Sequence, residues 1–251
     1  MKRCGPVTSE AYRSETSPAG VATGVDRQAA HRVRRRAGSN WGVAGGGGVS
    51  DTAPGSGLSG SQDATYARAM TQVQDRYRLV SSGFDAAVRA VGPDMWEAQS
   101  PCEQWTARDI VAHVVQGHRS VVTSIRGGEP ESLGPGEDPM RAWEDVTHAI
   151  DEITGDPEVM AREVDGPTGK MPAGEIIGSF VTMDLLVHTW DLARTIGADE
   201  HLDEESVRRA YEAMKPMDAM IRQPSVFGPK LEPPADADLQ TEFLYFLGRK
   251  A

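Results

Sequence analysis

The sequence predicts an all-α protein: a four-helix bundle with a small C-terminal helical extension and a disordered N-terminal tail. Three observations carry that reading. Beyond residue 70, apolar residues recur at three- and four-residue steps through segment after segment. Runs of strict alternation, which would mark half-buried strands, are nearly missing. Residues 1–69 have no such periodicity and hold an arginine cluster (His31-Arg32-Val33-Arg34-Arg35-Arg36) and a glycine run, Gly45 to Gly48. The chain is therefore divided into a tail (1–69), a helical bundle (70–200) and the extension (201–251).

The tail cannot bury enough apolar surface to offset the entropy of ordering it. It is read as disordered, or as an extension translated from a start site before Met70. Its arginines alternatively suit an acidic surface or nucleic acid. The first helix begins near Tyr66, places Tyr77, Val80, Phe84, Val88 and Val91 on one face, and stops at Gly92-Pro93. An extended link through Ser100-Pro101-Cys102 follows. Thr106 and Asp109 then form a capping box that opens a second helix, running to about Ile125. Its inner face carries Ile110, His113, Val114, Gly117 and Val121, and His118 falls well round the helix, facing solvent.

The third helix starts near Pro139 and runs to Ile153. Residues 158–171 hold at most a short extended piece. The fourth helix spans Ala173 to Ile196, with Gly197 as its C-cap. A fifth runs from Glu204 to about Met220, with Pro216 disturbing its last turn. A proline-rich link, Pro224 to Pro234, leads to a terminal helix over Asp236–Leu247.

Composition narrows the function classes. Net charge is −11 over 251 residues, which argues against a nucleic-acid partner. The charge is uneven: residues 1–69 carry nine Lys/Arg against five Asp/Glu, and the remainder 17 against 32. No uninterrupted run approaches the roughly 18 apolar residues of a membrane span, so no membrane partner is expected. The two cysteines, Cys4 and Cys102, sit far apart and form no CxxC pair. They predict a reducing, cytoplasmic setting without a disulfide framework. Glycine loops for phosphate and GxSxG nucleophile motifs are missing.

The most informative stretch is Asp184-Leu-Leu-Val-His188-Thr-Trp-Asp191. On a helix its two carboxylates and its imidazole share one side, with Thr195 in line. The surrounding residues, Phe180, Val181, Met183, Leu185, Leu186, Val187, Trp190 and Leu192, read as buried. Charge buried without a partner costs several kcal/mol or more, so the stripe needs a counterpart. His113, on the apolar face of the second helix, supplies a third ligand from another helix. His113, Asp184 and His188 together make a candidate site for a divalent metal, zinc first, with nickel, iron or manganese also suited. The competing reading is a set of hydrogen-bonded core side chains. Asp191 is assigned the catalytic, proton-handling role, or that of orienting His188 through a hydrogen bond. His148 and His201 lie in polar surroundings.

The motifs Pro101-Cys-Glu-Gln-Trp105-Thr-Ala-Arg-Asp109-Ile-Val-Ala-His113 and Asp184-Leu-Leu-Val-His188-Thr-Trp190-Asp191-Leu-Ala-Arg194, with the ending Phe246-Leu-Gly-Arg249, resemble the mycothiol-dependent maleylpyruvate isomerase family. That family lies within the DinB-like metalloprotein superfamily, and the match covers about residues 70–251. The resemblance implies a DinB-like four-helix bundle and a metal held by His113, Asp184 and His188. The family's acidic ligand is a Glu at the same spacing, where this chain has Asp184. The family's enzyme also has a larger C-terminal domain than residues 201–251 supply. The resemblance further implies mycothiol as a thiol cosubstrate and a small electrophile as partner, giving S-transfer or isomerisation in a monomer or homodimer. A non-catalytic metal- or small-molecule-binding stress protein is the alternative.

Overall fold

A computed structural model describes residues 59–251 apart from 130, 135, 167–168 and 223–226, with side chains from residue 68 onward. The readings of residues 1–58 as disordered and of Cys4 as unbridged lie outside the described residues.

Helix α1 spans Ser59–Arg89, α2 Ala107–Arg126, α3 Pro139–Thr154 and α4 Pro157–Met160. A two-stranded antiparallel hairpin follows, β1 Glu163–Gly166 and β2 Gly169–Pro172, with Val164 opposite Met171. A continuous helical run over Ala173–Ile196 comes next. It comprises α5 (Ala173–Glu175), a wider π-helical turn (Ile176–Val181) and α6 (Thr182–Ile196). Helices α7 (Glu204–Met214), α8 (Asp218–Ile221) and α9 (Leu239–Phe246) complete the chain.

The chain forms the helical bundle that the sequence predicts, with one short hairpin added. Helices α1, α2, α3 and α6 make the bundle, with α1 against α3 and α6, and α2 against α3 and α6. Its core is built from the predicted faces. Tyr77, Val80, Phe84 and Val88 of α1 are buried, and Phe84 meets Trp143 of α3 edge to face at 4.8 Å between ring centroids. The capping box stands as expected: the Thr106 side chain accepts from the Asp109 N–H, and the Asp109 carboxylate accepts from the Thr106 N–H at 2.8 Å. Gly197 closes α6 in the left-handed conformation at φ 69°, which a side chain would strain.

Several boundaries differ from expectation. Helix α1 begins at Ser59, not near Tyr66. The weak extended signal after residue 158 is a short helix and a true hairpin. Pro216 does end the regular helix: the backbone tightens to a 3₁₀ turn over Lys215–Met217 before α8. By length and composition, Ala173–Ile196 is long and apolar enough to cross a membrane. Counting only uninterrupted apolar residues hid this, because Asp184, His188 and Asp191 break the run. In the fold it is the central helix, packed on α1 and α2.

His118 is the clearest correction. It is 2% exposed, lies between Tyr77 and Trp143, and bonds through Nδ1 with the Val114 carbonyl at 2.7 Å. The reason is that α1 and α3 both cover this side of α2, the first with Tyr77 and the second with Trp143, so its buried arc is wider than one stripe. Burial pulls its imidazole down to about 4, against the opposing Val114 bond, and leaves it neutral at neutral pH.

The Phe84–Trp143 contact carries much of the packing between α1 and α3. Replacing Phe84, which is fully buried, by Ala should cost about 3–5 kcal/mol of unfolding free energy, read as a fall in the urea midpoint at unchanged slope.

Candidate metal centre

Two helices deliver the candidate ligands. His113 stands in the middle of α2, and Asp184 and His188 stand one turn apart on α6. The structure brings all three together. His113 Nε2 lies 3.4 Å from Asp184 Oδ2, and His188 Nε2 lies 3.5 Å from Asp184 Oδ1. One ligand atom from each residue falls within 4.8 Å of the others. Ligands bonded at about 2.0–2.1 Å in a tetrahedron stand roughly 3.3 Å apart; each imidazole already stands at about that distance from one Asp184 oxygen, His113 from Oδ2 and His188 from Oδ1.

The set of two imidazoles and one carboxylate suits zinc and neighbouring divalent ions. Trp105 covers the pair of imidazoles, its ring centroid 4.8 Å from that of His113 and 5.6 Å from that of His188. Water reaches the cluster on the Asp184 side, where the side chain is 26% exposed against 10% for His113 and 6% for His188. Trp105 thus flanks the two imidazoles, and Asp184 is the most exposed of the three side chains.

Asp191 lies behind this cluster. It is 0% exposed and accepts from His188 Nδ1 at 2.9 Å. Burial alone would raise its carboxyl pKa. The charge of Arg249 and its hydrogen bonds outweigh burial, and with His188 they hold it at about 2. An ionised acceptor fixes the proton of His188 on Nδ1 and turns Nε2 toward Asp184, the tautomer a ligand needs. Thr195, the fourth residue in the stripe, bonds back to the Asp191 carbonyl at 2.6 Å and serves the helix. His148 and His201 are exposed, as expected. Cys102 is buried, with Sγ 3.7 Å from Asp191 Oδ2.

Sequence reasoning missed two members. Trp105 stood inside the quoted motif but was not read as a wall of the site. Arg249 stood in the quoted ending, 58 residues from Asp191. The signal for it was charge balance: a carboxylate in so apolar a stripe needs a cation, and an Arg in an apolar ending needs an anion.

Fold and site define a class: a four-helix bundle with a two-histidine, one-carboxylate cluster on facing helices. Residues 77–193 match the family model of the mycothiol maleylpyruvate isomerase N-terminal domain. Two uncharacterized proteins of Mycobacterium tuberculosis, from strains CDC 1551 / Oshkosh and H37Rv, are each 29% identical over 181 residues, covering 69% of this chain and 95% of each relative. Among solved structures, the mycothiol-dependent maleylpyruvate isomerase aligns with TM-score 0.48 and 17% identity over 60% of this chain and 72% of that one. A mutant of it aligns equally, at 16% identity.

The cluster has a marked pH signature. Burial pulls the His188 imidazole down, but the carboxylates of Asp184 and Asp191 prevail and raise it to about 9. Burial would likewise raise Asp184, yet His188 and His113 hold it well below the usual carboxylate range. A folded pKa above the unfolded value of 6.5 stabilises the metal-free chain fully below that pH, and the gain is lost as pH rises to about 9. A cation must displace that proton, so its affinity runs the other way. Zinc titrations across pH 6–9 (about one unit either side of neutrality and above) should show affinity rising with pH and levelling near the folded pKa. Thermal scans of the chelator-treated chain should show its melting temperature falling over the same range.

Proposed function

We propose that the chain is a divalent-metal-dependent enzyme that uses a low-molecular-weight thiol, mycothiol, for S-transfer to, or isomerisation of, a small electrophilic substrate. The observation that carries this reading is the convergence of His113, Asp184 and His188 with ligand-like separations. The family model that residues 77–193 match, named for mycothiol and maleylpyruvate isomerase, supports the thiol and the reaction class.

His113, Asp184 and His188 would hold the cation, zinc first by the donor set. Bound there, a divalent ion supplies Lewis acidity that favours ionisation of a thiol at the open position. The chain's own residues do the rest. Asp184 neutralises part of the charge and leaves its side of the cluster accessible to ligands. Asp191 keeps His188 in the ligating tautomer; being wholly buried, it acts through His188 and not on substrate. Trp105 shields the imidazoles from water on the opposite side and strengthens the local electrostatics.

The test is metal content followed by turnover. Purified wild-type chain should bind about one equivalent of zinc per chain. His113→Ala and His188→Ala should each lose metal by elemental analysis and lower thiol-dependent consumption of an activated electrophile by at least about 100-fold. Full metal retention by both variants would refute the ligand assignment. Metal binding without turnover across thiols and electrophiles would instead make the chain a metal-binding stress protein.

A further inference from the structure

The residues after α9 reach back into the bundle and end on the helix that carries the candidate ligands. The Arg249 guanidinium grips Asp191 with a two-pronged contact, Nε to Oδ1 at 2.8 Å and Nη2 to Oδ2 at 2.8 Å. Both partners are buried, at 6% and 0% side-chain exposure. The same Asp191 Oδ2 accepts from His188 Nδ1 at 2.9 Å. A line of contacts therefore runs from Arg249 through Asp191 to a ligand candidate.

The local backbone is built to deliver Arg249 there. Gly248 turns the chain at φ 77°, and a Cβ on it would meet the Pro229 carbonyl oxygen at 2.8 Å. Only glycine fits both the dihedral and the close approach. The Arg249 N–H then bonds to the Leu244 carbonyl at 2.8 Å, and the Leu231 N–H bonds to that of Tyr245 at 2.9 Å. The Phe227 ring lies 5.7 Å from the guanidinium carbon.

We propose that Arg249 is a positioning residue for the cation site: through Asp191 it fixes the ring of His188, so docking of residues 239–249 and cation binding favour one another. The coupling must be reciprocal, because each event selects the same arrangement of His188. A planar fork holds a carboxylate in one orientation, whereas an ammonium would leave it free to swing. The proposal rests on the reading of His113, Asp184 and His188 as cation ligands.

The experiment uses the full chain. Zinc affinity is measured by competition with a chromogenic chelator for wild type, Arg249→Met and Arg249→Lys, and the cobalt(II) absorption spectrum is recorded for each. Amide hydrogen exchange over residues 239–249 is followed in wild type with and without zinc. Arg249→Met should bind zinc about 10–100-fold more weakly and shift the cobalt bands, with Arg249→Lys between it and wild type. Zinc should slow exchange over 239–249. Arg249→Met that binds within about twofold of wild type, a margin well below the effect expected of a ligand-orienting partner, with an unchanged cobalt spectrum overturns the proposal, even if it melts at lower temperature. Should Arg249→Met fail to fold, exchange that does not respond to zinc overturns it equally. Wild type that binds no zinc overturns both this and the ligand reading; wild type that binds while Arg249→Met is unaffected overturns this alone.

Discussion

A carboxylate with no exposure to water has to be matched where it stands, and Asp191 is such a group. Withdrawing an ion from water costs several kcal/mol after relaxation. The structure offsets this with the Arg249 fork and the His188 ring N–H, so both oxygens are satisfied. The consequence reaches beyond one ion pair. Asp191 is where the ligand helix and the chain after α9 are tied together, and the tie lies directly beneath a ligand candidate. Separating these partners would leave a buried charge uncompensated, on the order of 3–5 kcal/mol of penalty. The arrangement is therefore held by the cost of breaking it.

The helix that carries Asp191 has two demands to meet at once. It must bury Leu185, Leu186, Val187, Trp190 and Leu192, and it must aim Asp184 and His188 at His113. A uniform α-helix ties those requirements to one phase. The π-helical turn at Ile176–Val181 precedes both sets, so it sets the rotation of α6 as a whole relative to the chain before it. Its geometry is held from outside and inside. Arg76 of α1 donates to the Gly178 carbonyl at 3.0 Å, and the Thr182 hydroxyl donates to the Ile177 carbonyl at 2.7 Å. Gly178 also allows α1 to come close, since a Cβ there would sit 3.1 Å from Val73.

Much of this was legible because helical spacing is a local property. The buried face of α1, the caps at Thr106 and Gly197, and the one-turn step from Asp184 to His188 all follow from residues within a few positions of each other. His113 was legible as a ligand candidate for a further reason: an imidazole on an apolar face stands out against Ile110 and Val114. What the sequence hid is what depends on distant partners. His118 looked exposed because its cover, Tyr77 and Trp143, comes from two other helices. Arg249 could be matched to Asp191 only by asking where a buried charge finds its opposite. The π turn leaves no periodic signature, because it is set by packing against α1, and the start of α1 lay in a stretch whose composition resembles the tail.

Asp184 limits the geometry from the other side. An Asp carboxylate sits one methylene nearer its own helix than a Glu carboxylate would. The two imidazoles flank it: one oxygen faces His113 at 3.4 Å and the other faces His188 at 3.5 Å. A shorter side chain has fewer torsions to freeze, so less entropy is lost in fixing it. Its reach is also less adjustable, which shifts the burden of alignment onto the rings. His188 is aligned by Asp191, and His113 packs against Trp105 at 4.8 Å. With a short carboxylate between them, the precision of the site is set by what stands behind the histidines.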